Sequence, residues 1–449
     1  MNNWKQQKLG IVADVKLSNV DKLTIENERV VRLCNYTDVY KNSFINNEKS
    51  KSFMLASCNE NEYEKFILKK GQVAITKDSE TPNDIGVSTY ISEDFEDVVL
   101  GYHLALITPD NDKLNGQFLH YWLNTKQAKR YFENNAGGSG QRCTLVLDCI
   151  KSTPLYLPKL STQAKIAKVL SDLDNKIELN NRINRELETM AKTLYDYWFV
   201  QFDFPNPSTS SGQAGKPYKS SGGKMVYNAE LKREIPEGWV VKKLNDTLRI
   251  VRGASPRPID DYMAESGCPW IKISDATAIN HWFIIGTKEY IKEEGVKSSR
   301  ELQPGTLILS NSASPGIPKI VQIRACVHDG WLIVDSYKNG LYNEFMLFYF
   351  ENFRSKIINM GSGSIFKNLK TEYIKDLNIA IPPIHLLEKS KVAFDNIYKQ
   401  VLTNAIQNQQ LTELRDWLLP MLMNGQVTVK EAEESLSMAA EPSVEYKKG

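Results

Sequence analysis

Cysteine is sparse in this 449-residue chain: Cys34, Cys58, Cys143, Cys149, Cys268 and Cys326 are scattered, and no two form a Cys-x-x-Cys pair. The five histidines are dispersed as well, so no zinc-ligand spacing is present and reduced, partly buried thiols are expected. There is no run of about 18 apolar residues, and the opening MNNWKQQKLG has no apolar signal core; neither a membrane span nor secretion is expected, and the chain is read as cytoplasmic. Neither sign of charge dominates, with 56 Lys and Arg against 54 Asp and Glu, a net charge of +2. Composition therefore does not point to nucleic acid, and any such function has to come from local patches.

Catalytic signatures are missing too. A G-x-x-x-x-G-K-[ST] phosphate loop is absent, because Gly215-Lys216 and Gly223-Lys224 are followed by Pro217 and Met225. The one Pro-Pro pair, in Ile381-Pro382-Pro383-Ile384, is an apolar lead-in to a helix and not the Asn/Asp-Pro-Pro-aromatic motif that adenine methylation calls for. Asp260-Asp261 is a carboxylate pair of the kind that chance supplies among 54 acidic residues. The expectation is a non-catalytic binding scaffold.

What the chain does contain is one long helix, twice. Steps of four and three from Ile166 pass through Leu170, Leu173, Ile177, Asn180, Asn184, Leu187, Ala191, Leu194 and Trp198, a heptad seam. Such a helix, from Ser161 to Val200, would be roughly 60 Å long. Its apolar stripe is too narrow for a globular core, so it needs a partner helix. Moving each seam position on by 224 residues reaches Ser390, Phe394, Ile397, Val401, Asn404, Asn408, Leu411, Arg415, Leu418 and Leu422. Pro158 matches Pro382 at the same offset, and Ile150-Lys151 matches Ile374-Lys375. The repeat implies two copies of a body followed by a long helix. An antiparallel pairing about a pseudo-twofold axis is the economical arrangement, with Asn180 facing Asn408 and Asn184 facing Asn404. A buried Asn layer penalises slipped registers; the alternative is that these residues lie on the solvated edge of a bent helix.

The expected fold is therefore α+β: two similar bodies of mixed β-sheet with helices, separated by two long helices in an antiparallel coiled coil. The first body spans 1–158 and the central helix 159–204. A Gly/Pro/Ser-rich, extended or flexible connector covers 205–235, the second body 236–382, the C-terminal helix 383–425, and a fraying polar tail 426–449. In the first body, strands are expected at Val30–Leu33, Phe66–Leu68, Gln72–Ile75, Val98–Leu106 and Ser152–Pro158, with one helix over Phe118–Phe132. In the second, strands are expected at Trp270–Ile273, Thr306–Leu309 and Trp331–Val334, with a helix over Asn343–Ile358. Trp4 and Trp239 open the bodies, each with a leucine five residues on (Leu9, Leu244).

Candidate contact residues are the polar tips after matched strands. Gly71-Gln-Val-Ala-Ile leads to Thr76-Lys77, and Gly305-Thr-Leu-Ile-Leu leads to Ser310-Asn311. Lys favours guanine edges and Asn adenine edges in the major groove, so such a swap would change a read sequence; a strand-ending Lys is otherwise simply solvated. Gly-rich loops at 136–142 and 360–368 present Gln141, Arg142, Lys367 and Asn368 where backbone can approach a phosphate, or are tight turns and nothing more. Arg257 sits on a proline-stiffened loop, and Lys216, Lys219, Lys224, Lys232 and Arg233 make the connector basic.

Together these features resemble the specificity (S) subunit of type I restriction-modification systems. The resemblance is carried by the two divergent bodies with their proline-strand exits and long helices, by Leu157 to Phe204, and by KPYKSSGGKM before IPEGW in 215–239. Gln163 fits the exit motif of the family, and Leu387 replaces it in the second copy, which bears on a cap or on local packing. The resemblance implies two target recognition domains reading a bipartite duplex DNA target, with the helices as spacer. It implies two modification subunits docked along the helices and restriction subunits joining them, in a host-defence complex. S-adenosylmethionine, ATP and Mg would belong to those partners and none to this chain. Trp198 and Phe199 would bind a modification subunit or pack beneath the adjoining body. A coiled-coil adaptor that binds only proteins is the rival reading.

Overall fold

The computed structural model describes residues 4–138, 142–206, 214–359 and 369–440, and the chain divides into two compact units, Met1–Ile177 with Gln410–Gly449 and Glu178–Gln409. Each unit owns one body and part of each long helix, Leu160–Tyr195 and Ile384–Met423.

The first body is built on a five-stranded sheet in the order Ala13–Leu17, Leu104–Pro109, Val73–Thr76, Ser88–Ile91, Phe44–Ile45. All its pairings are antiparallel except that of Phe44–Ile45 with Ser88–Ile91. Val73–Thr76 is buried at every position, which is why it reads as a continuous apolar run and not as an alternating one. Strand Lys5–Lys8 pairs antiparallel with Pro154–Leu157, the segment that leads into the long helix.

The second body repeats this plan. Its sheet runs Arg249–Arg252, Trp331–Asp335, Thr306–Ser310, Pro318–Val321, Phe283–Ile284, again with only the last pairing parallel, and Val240–Lys243 pairs with Asn378–Ile381. Leu9 and Leu244, matched in the sequence, are both fully buried. The bodies diverge in their second sheets. The first has three strands, Met54–Cys58, Arg29–Cys34 and Val98–Leu100; the second has five, Met263–Ala264, Tyr290–Ile291, Cys268–Ile271, Ala325–Val327 and Arg300–Leu302.

Several expected elements differ. Phe66 ends a helix, Glu60–Phe66, started by a capping box between Asn59 and Glu62, so capping overrides a short apolar run. The Val98–Leu106 run splits at a turn where His103 takes φ +71°. The helix expected over Phe118–Phe132 is two, Gly116–Leu123 and Lys126–Asn135, because the Thr125 side chain caps the second. Ile273 starts a helix, Ile273–Ala278, and does not end a strand. The connector is folded where described: Met225–Asn228 pairs with Arg233–Pro236, and Phe204 stacks on Tyr218 at 4.6 Å and on Trp239 at 5.7 Å. The tail forms a helix, Val429–Ala440, capped by Thr428 with Glu431 and anchored by the fully buried Ala432.

Within the second unit the long helices pair antiparallel, since partner numbers fall as residue numbers rise. Asn180 donates to Asn408 Oδ1 at 2.9 Å and to Gln407 Oε1 at 2.8 Å. Asn404 donates to Asn184 Oδ1 at 2.8 Å, and Asn184 donates to the Val401 carbonyl at 3.2 Å. Asn184 and Asn404 are 3% and 5% exposed, so their amides have little access to water and each depends on the other. Leu187, Leu194, Phe394, Ile397 and Val401 join the core of that unit. In the first unit, Ile166, Leu170 and Leu173 share a core with Leu411, Leu418 and Leu422. The polar seam residue Arg415 donates to Asp174 Oδ1 at 2.8 Å, and the Tyr121 hydroxyl donates to the other carboxylate oxygen at 2.6 Å.

Gln163, 1% exposed, accepts from the Asn115 amide at 2.9 Å and donates to the Lys113 and Pro158 carbonyls. It thereby ties the start of the long helix to the turn before Gly116–Leu123. In the second unit Leu387 is buried, and a bond of 2.7 Å between the Tyr342 and Ser390 hydroxyls serves that junction instead.

Beside the helix pair, Glu188 Oε1 accepts from the Trp282 amide at 3.3 Å. Burial, reinforced by Glu351, pushes the Glu188 carboxyl up to about 8. Burial likewise pulls the Lys319 ammonium down to about 8, although it donates to the His281 carbonyl at 2.5 Å.

These buried groups set measurable expectations. Asn184→Leu strands the Asn404 amide and should cost about 1–3 kcal/mol, read as a lower thermal midpoint, whereas Asn184→Leu with Asn404→Leu should recover most of the loss. Folded Glu188 holds a proton that the unfolded chain releases above its ordinary 4.5. Its contribution to stability is thus complete below that pH and is lost as pH rises toward about 8. Glu188→Gln should flatten that fall in denaturant titrations across the same range; an unchanged slope would refute the assignment.

Candidate nucleic-acid interface

In the first unit the buried strand Val73–Thr76 gives the chain a rigid exit, and Lys77 and Asp78 follow directly. Three segments meet there. Asp78–Ser79 pairs antiparallel with Cys143–Thr144, the return of the Gly-rich loop, and the Gly137 amide and carbonyl bond to Thr144. Gly138 permits the close return, because a Cβ there would lie 2.0 Å from the Arg142 carbonyl oxygen. The third segment is the turn at Tyr102-His103, where the His103 carbonyl accepts from the Lys77 amide at 3.0 Å.

Asp78 is the hub of this meeting point. Its Oδ2 takes Lys77 Nζ at 2.8 Å and His103 Nδ1 at 2.6 Å, and its Oδ1 takes the Thr144 hydroxyl at 2.7 Å. Burial works to raise the carboxyl, but the three hydrogen bonds and the adjacent ammonium outweigh it and hold the group below its ordinary value. Lys77 also lies 4.8 Å from the centre of the Tyr102 ring. The Lys77 side chain is only 10% exposed, so the ammonium expected at a solvated tip is turned inward as the counter-ion of Asp78.

The second unit keeps the backbone ties and changes the side chains. The Leu145 amide donates to the Lys77 carbonyl, and the Leu369 amide donates to the Asn311 carbonyl, both at 2.7 Å. The residue at 145 in one unit and at 369 in the other is therefore tied to the matched strand tip. Asn311 is 5% exposed; its Nδ2 donates to the Asp329 carbonyl at 3.4 Å, and its Oδ1 has no hydrogen-bond partner among the described residues. Asp329 occupies the turn that corresponds to Tyr102-His103. Arg252 Nε donates to its carbonyl at 2.8 Å, and Arg252 and Arg257 each lie 3.8 Å from its Oδ2. Arg257 is 75% exposed and Arg252 59%, so this tip presents guanidinium groups.

A sequence model of the type I restriction modification DNA specificity domain matches residues 1–189 and 236–415. The chain belongs to that family. Among curated relatives of this specificity-family chain, the HindI specificity subunit of Haemophilus influenzae is 26% identical over 489 aligned positions, covering 95% of this chain and 100% of that protein. The MjaIX specificity subunit of Methanocaldococcus jannaschii is 26% identical, covering 71% of each. The solved type I restriction-modification S subunit from M. genitalium superposes with a TM-score of 0.56 at 15% identity, covering 94% of this chain and 96% of that one, a likeness of fold.

Among the residues expected at the interface of this specificity-family protein, Lys77 and Arg142 converge on one loop cluster, and Asn311 and Arg257 on the other. Gln141, Lys367 and Asn368 lie outside the described residues. Trp198 and Phe199, expected either to bind a modification subunit or to pack beneath the adjoining body, are 7% exposed in a five-residue π-helical turn, Asp196–Val200. Phe199 packs 4.9 Å from Phe345, so both rings are consumed by the core of the second unit. Asp78, His103, Asp329 and Arg252 join these clusters although the sequence reading does not single them out; for His103 and Asp329 the signal is positional, since Tyr102-His103 and Asp329-Gly330 precede the matched strands Leu104–Pro109 and Trp331–Asp335.

Removing the hub carboxylate tests the enclosed cluster. Asp78→Ala leaves the Lys77 ammonium unpaired and should cost about 3 kcal/mol in chemical denaturation, and Lys77→Met in the same chain should restore much of it.

Proposed function

We propose that the chain is the DNA-recognition subunit of a type I restriction-modification complex. In this reading each unit recognises one part of a bipartite duplex target. The observation that carries it is the double match to a DNA specificity domain on two bodies that share strand order while their loop clusters carry an imidazole and a carboxylate in one case and guanidinium groups in the other. A shared scaffold with changed hydrogen-bonding edges is what recognition of two different base sequences requires.

Two modification subunits and the restriction subunits dock on this chain in that reading. They bring S-adenosylmethionine, ATP and Mg with them, and the chain itself catalyses nothing. The complex works in the cytoplasm. With a net charge of +2, affinity rests on local cations such as Arg142, Arg252 and Arg257, so binding weakens as salt rises.

Selection of a random duplex pool by the full chain should enrich two short sequences separated by a constant unread gap. A pool that stays random, or a single uninterrupted motif, would refute the reading. Incubated alone with labelled S-adenosylmethionine and the selected duplex, the chain should transfer no methyl group.

A further inference from the structure

His103 is the outward member of the Asp78 cluster. The Lys77 and Asp78 side chains are 10% and 13% exposed, whereas that of His103 is 30% exposed. Its ring is held on one side by Asp78 and on another by Tyr102, whose ring lies edge-on at 4.2 Å. Its backbone is held in the turn by the bond from the Lys77 amide to its carbonyl, and its φ of +71° sets the direction in which the side chain leaves the sheet. The ring therefore has one orientation and few alternatives.

Asp78 also decides which ring nitrogen carries hydrogen. A carboxylate only accepts, so Nδ1, 2.6 Å from Oδ2, is the donor. The same oxygen also takes the Lys77 ammonium at 2.8 Å. With the hydrogen of the neutral imidazole on Nδ1, Nε2 presents a lone pair on the side of the ring away from Asp78. In the major groove an acceptor at a fixed point is satisfied by the exocyclic amino group of adenine or cytosine and opposed by the carbonyl oxygen of thymine or guanine.

We propose that His103 is a specificity-determining residue of the first unit, its Nε2 accepting a hydrogen bond from the exocyclic amino group of adenine or cytosine at one position of the target. This rests on the DNA-recognition reading above and assigns one of its contacts. Asp78 acts through His103 as a positioning residue.

The test is selection of a random duplex pool by the full chain and by His103→Ala and His103→Gln. In His103→Gln the new side chain can donate its amide hydrogen to Asp78 while turning its oxygen outward, so it stands in for the acceptor. The wild-type chain should prefer adenine or cytosine at one position of one half. His103→Ala should lose roughly ten-fold discrimination at that position alone, with the other half of the motif intact, and His103→Gln should retain part of the preference. An unchanged motif in His103→Ala would overturn the assignment while leaving the DNA-recognition reading standing. Uniform loss of one whole half in both variants would mean that His103 only supports the loop, and would overturn it too. A wild-type chain that selects no motif would overturn the reading on which the assignment rests.

Discussion

The pairing of Asn184 with Asn404 is the constraint on which the helix pair of the second unit depends. Apolar seams tolerate slippage, because one leucine replaces another at little cost. Two buried amides do not, because a shift leaves each facing hydrocarbon with its hydrogen bonds unmade. Asn180 with Asn408 and Gln407 extends the polar layer. In the first unit the same requirement is met by charge, with Asp174 taking Arg415 and the Tyr121 hydroxyl. Register decides which side chains of each helix meet the body, so these polar contacts govern the apolar packing around them.

The two bodies show how a scaffold is kept while its surface chemistry changes. The strand order of the five-stranded sheet, its one parallel pairing and the backbone bond from Leu145 or Leu369 to the strand tip are common to both. These are backbone features, indifferent to which side chains stand at the tip. An aspartate organises each cluster, but from different places: Asp78 follows the strand tip itself, and Asp329 sits in the adjoining turn. The first cluster is enclosed around its carboxylate and exposes an imidazole; the second exposes arginines. Divergence is concentrated at the loop ends and in the second sheets, where substitution does not disturb the shared hydrogen-bond ladder.

Buried ionisable groups carry a cost that apolar residues would avoid. Glu188, Glu351 and Lys319 lie where burial opposes their charged forms, and Glu188 and Lys319 are held by backbone groups. Such groups make the junction of helix and body sensitive to pH, and they discriminate against alternative packings that would leave them without those partners.

The sequence by itself determined the repeat, both long helices, the facing asparagines and the central strands Val73–Thr76, Thr306–Ser310 and Trp331–Asp335. All of these rest on periodicity or on matched spacing, which are properties of the chain read in order. It did not determine the helix at Val429–Ala440, the folded connector, or the break at Thr125, where caps and a few buried contacts outweigh polar composition. Nor did it determine which way Lys77 points or what Trp198 and Phe199 face. Only the tertiary structure decided those, because it brings Asp78 together with His103 and Thr144, and Phe199 with Phe345, from distant parts of the chain. Among 56 cationic and 54 anionic residues every charge has many eligible partners, and the choice is made by proximity and exclusion of water, neither of which is written in the order of residues.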